Sequence, residues 1–314
     1  MAKIVKKKKK RPWLILILIL IFLGFLIFSI LKIYHSCNNS LWDGEHQFNI
    51  IVNSQPASLI SFNSSEETIS VLLVPNGTFI ETTHGYGPYR IESIYRLGEL
   101  KGNGVELLTS SLQNYFGLPV DGFLQGNIYQ IKSSGIKNSL LNQFFEALRH
   151  DKKTNLSRWD LLRLWWQIKK TREDKINLID LSQTSASQEV DLPDGSKAMK
   201  IETERLVRIF NQFFIDGEIR QEGLTIGVLN KTDKAGLANS AAKIITNIGG
   251  RVINIGIQND VSKEKNNCGL KSSKKYKNSY TVHRLNKIFH CYWQGELEDD
   301  NQRSDIVILL GEDY

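Results

Sequence analysis

From Trp13 to Leu31 the chain reads WLILILILIFLGFLIFSIL, an apolar run without a charged residue. At about 1.5 Å of rise per helical residue it matches the ~30 Å hydrocarbon core of a bilayer. The pattern predicts a transmembrane helix over 13–33. Lys6 to Lys10 and Arg11 precede it and place a basic tail, 1–12, in the cytoplasm, so that the rest of the chain lies outside as the soluble part of a single-pass protein in the cell membrane. A cleaved signal peptide carries a shorter apolar region and a small-x-small cleavage site, whereas this run continues into Lys32-Ile33-Tyr34-His35-Ser36-Cys37. Tyr34 and His35 likewise argue against a lipoprotein site at Cys37.

Beyond a linker from His35 to His46 the texture changes. Phe48 to Val52, Ser58 to Phe62 and Thr68 to Val74 read as strands, the last broken by Pro75-Asn76-Gly77. A Gly- and Tyr-rich loop, His84 to Tyr89, leads into Arg90 to Leu97. Val105, Leu108, Leu112 and Tyr115 then recur at helical spacing. Between Ile136 and Lys170 the helical period returns through Leu140, Phe144, Leu148, Trp159, Leu162 and Trp166, and the spacing assigns Trp165 and Trp166 to a core face. Ser182 to Glu189 reads as a polar loop, and Glu202 to Phe214 as a helix.

From Gly223 onward the elements are compact. Leu224 to Leu229 is a strand, Ala235 to Ile248 an Ala-rich helix stopped by Gly249-Gly250, and Arg251 to Ile257 a second strand. A weak strand near Leu270, a helix from Ser279 to Phe289 and a strand from Asp305 to Leu310 complete a β-α-β-β-α-β order. Asp233 is the expected N-cap of the first of these helices.

Composition alters one inference. The formal charge is +7, and Lys3, Lys6 to Lys10 and Arg11 account for all of it, so the outer part is neutral on balance. The basic footprint therefore belongs to membrane lipid and not to nucleic acid. Of three cysteines, Cys268 and Cys291 form a candidate disulfide in an oxidising compartment, the alternative being two buried thiols. No Cys/His spacing resembles a zinc site, and neither G-x-S-x-G nor H-E-x-x-H occurs. Asn230 to Gly236 joins a strand to a helix but lacks the G-x-x-x-x-G-K-[ST] pattern, so it reads as a structural turn.

Two resemblances follow from particular residues. Leu224 to Thr232, Gly236-Leu237-Ala238, Ala241-Ala242, Gly249, Val252 and Ser304 to Gly311 resemble the LytR C-terminal domain, V-x-V-L-N-G-T…G-L-A…A…G…V with a closing D-(I/V)-x-V-x-L-G, departing from it at Lys231. Upstream, Phe48 to Val52, Val71 to Pro75 with Thr78, Tyr89-Arg90-Ile91 with Tyr95, and Phe116 to Phe123 resemble segments of the LytR-CpsA-Psr domain. The resemblance implies an α/β (α+β) chain with an outer LytR-CpsA-Psr-like domain, 46–216, and a LytR C-terminal domain, 223–314.

Members of that family transfer a glycopolymer from a lipid pyrophosphate carrier to the cell wall, using magnesium, acidic residues and arginines. Here Asn76-Gly77 stand where the motif has Arg-Asp, and Asn53-Ser54-Gln55 where it has G-x-D. Arg90 keeps a cation at a lysine position, with Arg96 nearby, and these two are the candidate binding residues. The upstream domain thus resembles a degenerate member without catalytic residues or a cofactor, binding wall glycopolymer or an envelope protein. The alternative is a divergent magnesium-dependent phosphotransferase using Arg90, Arg96 and an acidic residue such as Asp121. A cytoplasmic DNA-binding regulator conflicts with the expected topology.

Overall fold

The computed structural model describes residues 13, 20–28, 31, 39–126, 135–150, 152–192, 195, 197–258, 267–297 and 303–312. Part of the expected span over 13–33, and Cys37, lie outside these. Within them, residues 20–28 are helical and expose their large apolar side chains, Phe25 among them at 68%. Among the described residues no helix is long and apolar enough to cross a membrane.

The upstream unit is built on a mixed five-stranded sheet. Strands β1 (Phe48–Asn53), β2 (Ala57–Asn63) and β3 (Thr68–Val74) form an antiparallel meander. A hairpin of β4 (Phe79–Thr82) and β5 (Gly87–Arg90) follows, then α1 (Ile91–Glu99) and α2 (Gly104–Phe116). Next come β6 (Gly122–Gln125), α3 (Ile136–Arg149), α4 (Arg158–Lys170) and β7 (Ile176–Asp180). β6 joins β1 and β7 joins β3, both parallel, giving the order β6-β1-β2-β3-β7.

Both sheet faces are covered, which is why these strands are nearly continuous apolar runs and not alternating ones. Ile51, Leu59, Leu72 and Val74 face α1 and α2, while Phe48, Ile50, Phe62 and Val71 face α3 and α4. Trp165 packs half-buried against the second core, but Trp166 is 58% exposed, so only the first of the pair meets the core expectation. The linker expectation also changes, because Trp42 is buried in that core.

A second hairpin, β8 (Ser187–Asp191) with β9 (Lys197–Ile201), begins inside the segment expected to be loop. Ser187 to Asp191 carries one apolar side chain, so no burial pattern marked it. The expected helix over 202–214 divides into a 3-10 turn, Thr203–Leu206, and α5 (Val207–Phe213), with α6 (Gly217–Glu222) beyond it.

The C-terminal unit comprises β10 (Thr225–Asn230), α7 (Leu237–Asn247), β11 (Arg251–Ile257), β12 (Gly269–Ser272), α8 (Tyr280–Phe289), β13 (Tyr292–Glu296) and β14 (Ile306–Leu310). The expected order therefore gains one strand, β13, and the sheet runs β11-β10-β14-β12-β13. β13 lies at a sheet edge with Tyr292 exposed, so its sequence lacks the apolar run of a central strand. Asp233 is not the N-cap of α7: Gly236 holds that position at φ +80°. The turn is organised instead by Asn230, whose Oδ1 accepts from Thr232 N at 2.9 Å and whose Nδ2 donates to Lys234 O at 2.8 Å.

The parallel pairing of β12 with β13 sets Gly269 opposite Tyr292, which brings the residues before them together. Cys268 and Cys291 reach disulfide distance, Cα to Cα 4.5 Å, both buried. Bridging a loop of this size stabilises by about 3 kcal/mol on chain-entropy grounds. Protein folded under oxidising conditions should accordingly yield no alkylation at Cys268 or Cys291 before reduction and full alkylation after it, read by intact mass.

α2 ends at Gly117, in the left-handed region at φ +65°. A Cβ there would come within 2.8 Å of Lys243 Cγ and 2.9 Å of Asn247 Nδ2, so glycine serves both the helix stop and the close approach of α7. Gly117→Ala should lower stability by about 1–3 kcal/mol, measured by urea denaturation.

Candidate functional site

The loop positions that resemble catalytic motif segments lie at the C-terminal ends of β1 and β3. Asn53 closes β1 and its Nδ2 donates to Gln125 Oε1 on β6 at 2.9 Å. After β3, Gly77 N donates to Glu92 Oε2 at 2.8 Å, and Gly77 O accepts from Met199 N on β9 at 3.1 Å. The β8–β9 hairpin thus lies against this loop.

Arg90 is the N-cap of α1; its guanidinium sits 5.7 Å from the Phe79 ring and donates to Lys197 O at 3.4 Å. Arg96 is exposed in the last turn of the same helix. Arg90 is extended at the N-cap and Arg96 lies in the last turn, so the two cations stand at opposite ends of α1. The layer beneath is filled: Ile51, Leu59, Leu72, Ile94, Leu108 and Phe116 are all fully buried between the sheet and α1–α2. Neither arginine lines the cavities at the domain seam or beside α4.

A magnesium ion needs hard oxygen ligands, above all carboxylates. The aligned positions offer Asn53, Gln55 and Asn76, which are neutral amides, and Gly77, which has no side chain. Among the described residues no three His, Cys, Asp or Glu side chains gather to hold a metal. These residues do not fit the ion.

Asp121 sits just before β6, and the structure commits it elsewhere. Arg284 on α8 donates to it through both terminal nitrogens, Nη1 to Oδ1 at 2.6 Å and Nη2 to Oδ2 at 3.0 Å, both side chains being buried. Asn49 N adds a third bond at 2.9 Å. Burial pushes the Asp121 carboxyl up, but the charge and hydrogen bonds of Arg284, with help from Lys287 and Asn49 N, outweigh it and hold the group below the usual carboxylate range. Arg284 Nε lies 3.7 Å from Asp216, whose carboxyl burial pushes up even though Tyr280 Oη donates to it at 2.6 Å. His46 stacks on Tyr280 at 4.5 Å between ring centres, its Nε2 3.2 Å from Glu218. Burial lowers the His46 pKa, but Asp43 together with Glu218 and Asp216 raises it on balance.

This network welds the two units. Lys243 Nζ donates to Tyr115 O at 3.2 Å, and Asn247 Nδ2 to Phe116 O and Gly117 O at 3.1 and 2.9 Å. Arg284, Asp216 and Tyr280 were not marked by any motif. One signal was available: Arg284 falls at apolar spacing between Thr281 and Ile288 on an otherwise buried helix face.

No family model and no curated protein matches the chain. Among solved structures it is similar to Bacillus subtilis TagT, at 14% identity over 55% of this chain and 91% of that one, TM-score 0.41. It is also similar to the LytR-CPS2A-psr family protein YwtF (TagT) with bound octaprenyl pyrophosphate lipid, at 16% identity over 54% and 90%, TM-score 0.40. Bacillus subtilis TagV is similar at 12% identity over 54% and 96%, TM-score 0.40. At such identities, residue roles are set by this chain's own geometry.

Removing one partner of the buried pair strands the other. Arg284→Met should therefore cost about 3–5 kcal/mol, most of it regained in Asp121→Leu/Arg284→Met. In the parent, the contribution of Asp121 is fully present above the ordinary carboxylate pKa near 3.8 and is lost as pH falls through its lower folded value. That acid limb should be absent from the double variant in pH-dependent urea denaturation.

Proposed function

We propose that this chain is a membrane-anchored, extracytoplasmic protein of the cell envelope that binds wall glycopolymer or an envelope protein without transferring it. The apolar run after a basic cluster supports the anchor and its orientation, and the exposed apolar side chains of residues 20–28 agree with a lipid-facing surface. The LytR-CpsA-Psr resemblance supports the envelope setting.

The observation that carries the non-catalytic reading is the Asp121–Arg284 pair. Pyrophosphate transfer requires cations and a metal-held charge at the departing phosphate. The one acid named for that role is buried in a two-point ion pair, the aligned loops carry amides, and Arg90 and Arg96 stand at opposite ends of α1. Arg90 and Arg96 remain the proposed contacts to a polyanionic polymer at the surface.

Full-length protein in proteoliposomes, given a lipid-pyrophosphate-linked glycopolymer and magnesium, should show no turnover, and Asn76→Arg/Gln55→Asp should not create it, because catalytic groups act as a unit. Strong magnesium-dependent turnover lost on Arg90→Ala would establish the phosphotransferase instead. A reporter fused after Tyr314 should be active outside the membrane and silent in the cytoplasm.

A further inference from the structure

The segment that follows the apolar run is stapled to α4. Ser40 Oγ donates to Asp160 Oδ1 at 2.5 Å, Leu41 N to Oδ2 at 3.1 Å and Trp42 N to Oδ1 at 3.0 Å. Asp160 is the N3 residue of the α4 capping box, and Arg163 one turn on donates to Trp42 O at 2.5 Å. Only seven peptide steps separate Ile33 from Ser40. Even fully extended they reach roughly 25 Å, so the start of α4 cannot lie farther than that from the end of the span.

The outward face of α4 is unlike a solvated helix face. Leu162 and Trp166, four residues apart and 42% and 58% exposed, form an apolar stripe beside the half-buried Trp159. Arg158, Lys169 and Lys170 flank the stripe. With Trp42, Asp43 and Gly44 it borders an open cavity of about 480 Å³. Indole rings beside basic side chains are the composition of the membrane–water interface, and Lys and Arg near an anionic surface each contribute about 1 kcal/mol. Each of these indoles already meets a basic side chain. Here Lys169 Nζ lies 5.2 Å from the Trp165 ring and 5.5 Å from the Trp166 ring, and the Arg163 guanidinium lies 5.2 Å from that of Trp159.

We infer that α4 docks on the outer surface of the same bilayer that holds the anchor, Trp166 and Leu162 entering the anionic headgroup layer and Lys169, Lys170 and Arg158 meeting lipid phosphates. This rests on the anchored reading above. It fixes the orientation of the outer domains: α3 and α4 face the membrane, and α1, α2 and Arg90, on the opposite side of the sheet, face the wall.

The test uses spin labels in full-length, Cys37→Ser protein in anionic proteoliposomes. Labels are placed singly at Leu162→Cys on α4, Leu100→Cys at the end of α1, which is 83% exposed, and Ile21→Cys in the apolar run. Expected is a label at 162 severalfold less accessible to a water-soluble nickel relaxant than that at 100, with the label at 21 reached by oxygen alone. Trp166→Glu should restore nickel access at 162. If 162 is as accessible as 100 while 21 is shielded, the docking is wrong and the anchor stands. If 21 is itself open to nickel, the anchored reading falls and the docking with it. Shielding of 162 only on adding wall glycopolymer overturns the docking in favour of a polymer groove.

Discussion

The buried pair of Arg284 and Asp121 is the contact on which the two-domain arrangement depends. Withdrawing both charges from water costs several kcal/mol per ion, so the pair depends on its two-point geometry, Arg284 Nε being left with only the longer 3.7 Å approach to Asp216. Two parallel bonds match the planar guanidinium to the carboxylate, and Asn49 N takes a further lone pair. An apolar contact in the same place would tolerate sliding; the bidentate pair does not. It fixes α8 against the edge of the upstream sheet at β6, and the bonds from Lys243 and Asn247 to the end of α2 fix α7 at a second point.

The same economy shapes the surface that resembles a catalytic face. In a phosphoryl-transfer site, carboxylates stay available to a metal and arginines converge on the leaving group. Here the nearest buried carboxylate is consumed by domain docking, the β3 loop is closed by Glu92 and by the β8–β9 hairpin, and the layer under α1 and α2 is filled with aliphatic and aromatic side chains. The sheet supports two covered cores and a docked partner domain.

Asp160 plays on the other face the part that Asp121 plays at the seam. One buried carboxylate caps α4, accepts Ser157 N and gathers Ser40, Leu41 and Trp42. The stripe of Leu162 and Trp166 is thereby carried on a helix tied to Ser40, Leu41 and Trp42.

Much of the architecture was legible because it rests on local pattern. Continuous apolar strands at Phe48, Ala57 and Thr68, the Ala-rich helix before Gly249-Gly250 and the terminal strand into Leu310 all follow from periodicity and turn residues, and so does the apolar run after the basic tail. Elements with no core-facing period, the β8–β9 hairpin and β13, were silent because edge strands need not be apolar. The cysteines could be proposed as partners from their compartment and position, but the proximity came from the parallel register of β12 and β13. Only tertiary structure could decide that Asp121 is an interdomain counter-ion and not a free acid, and that Trp166 faces outward where Trp165 faces in. Each depends on which surfaces meet, a non-local matter of packing that neither residue type nor spacing encodes.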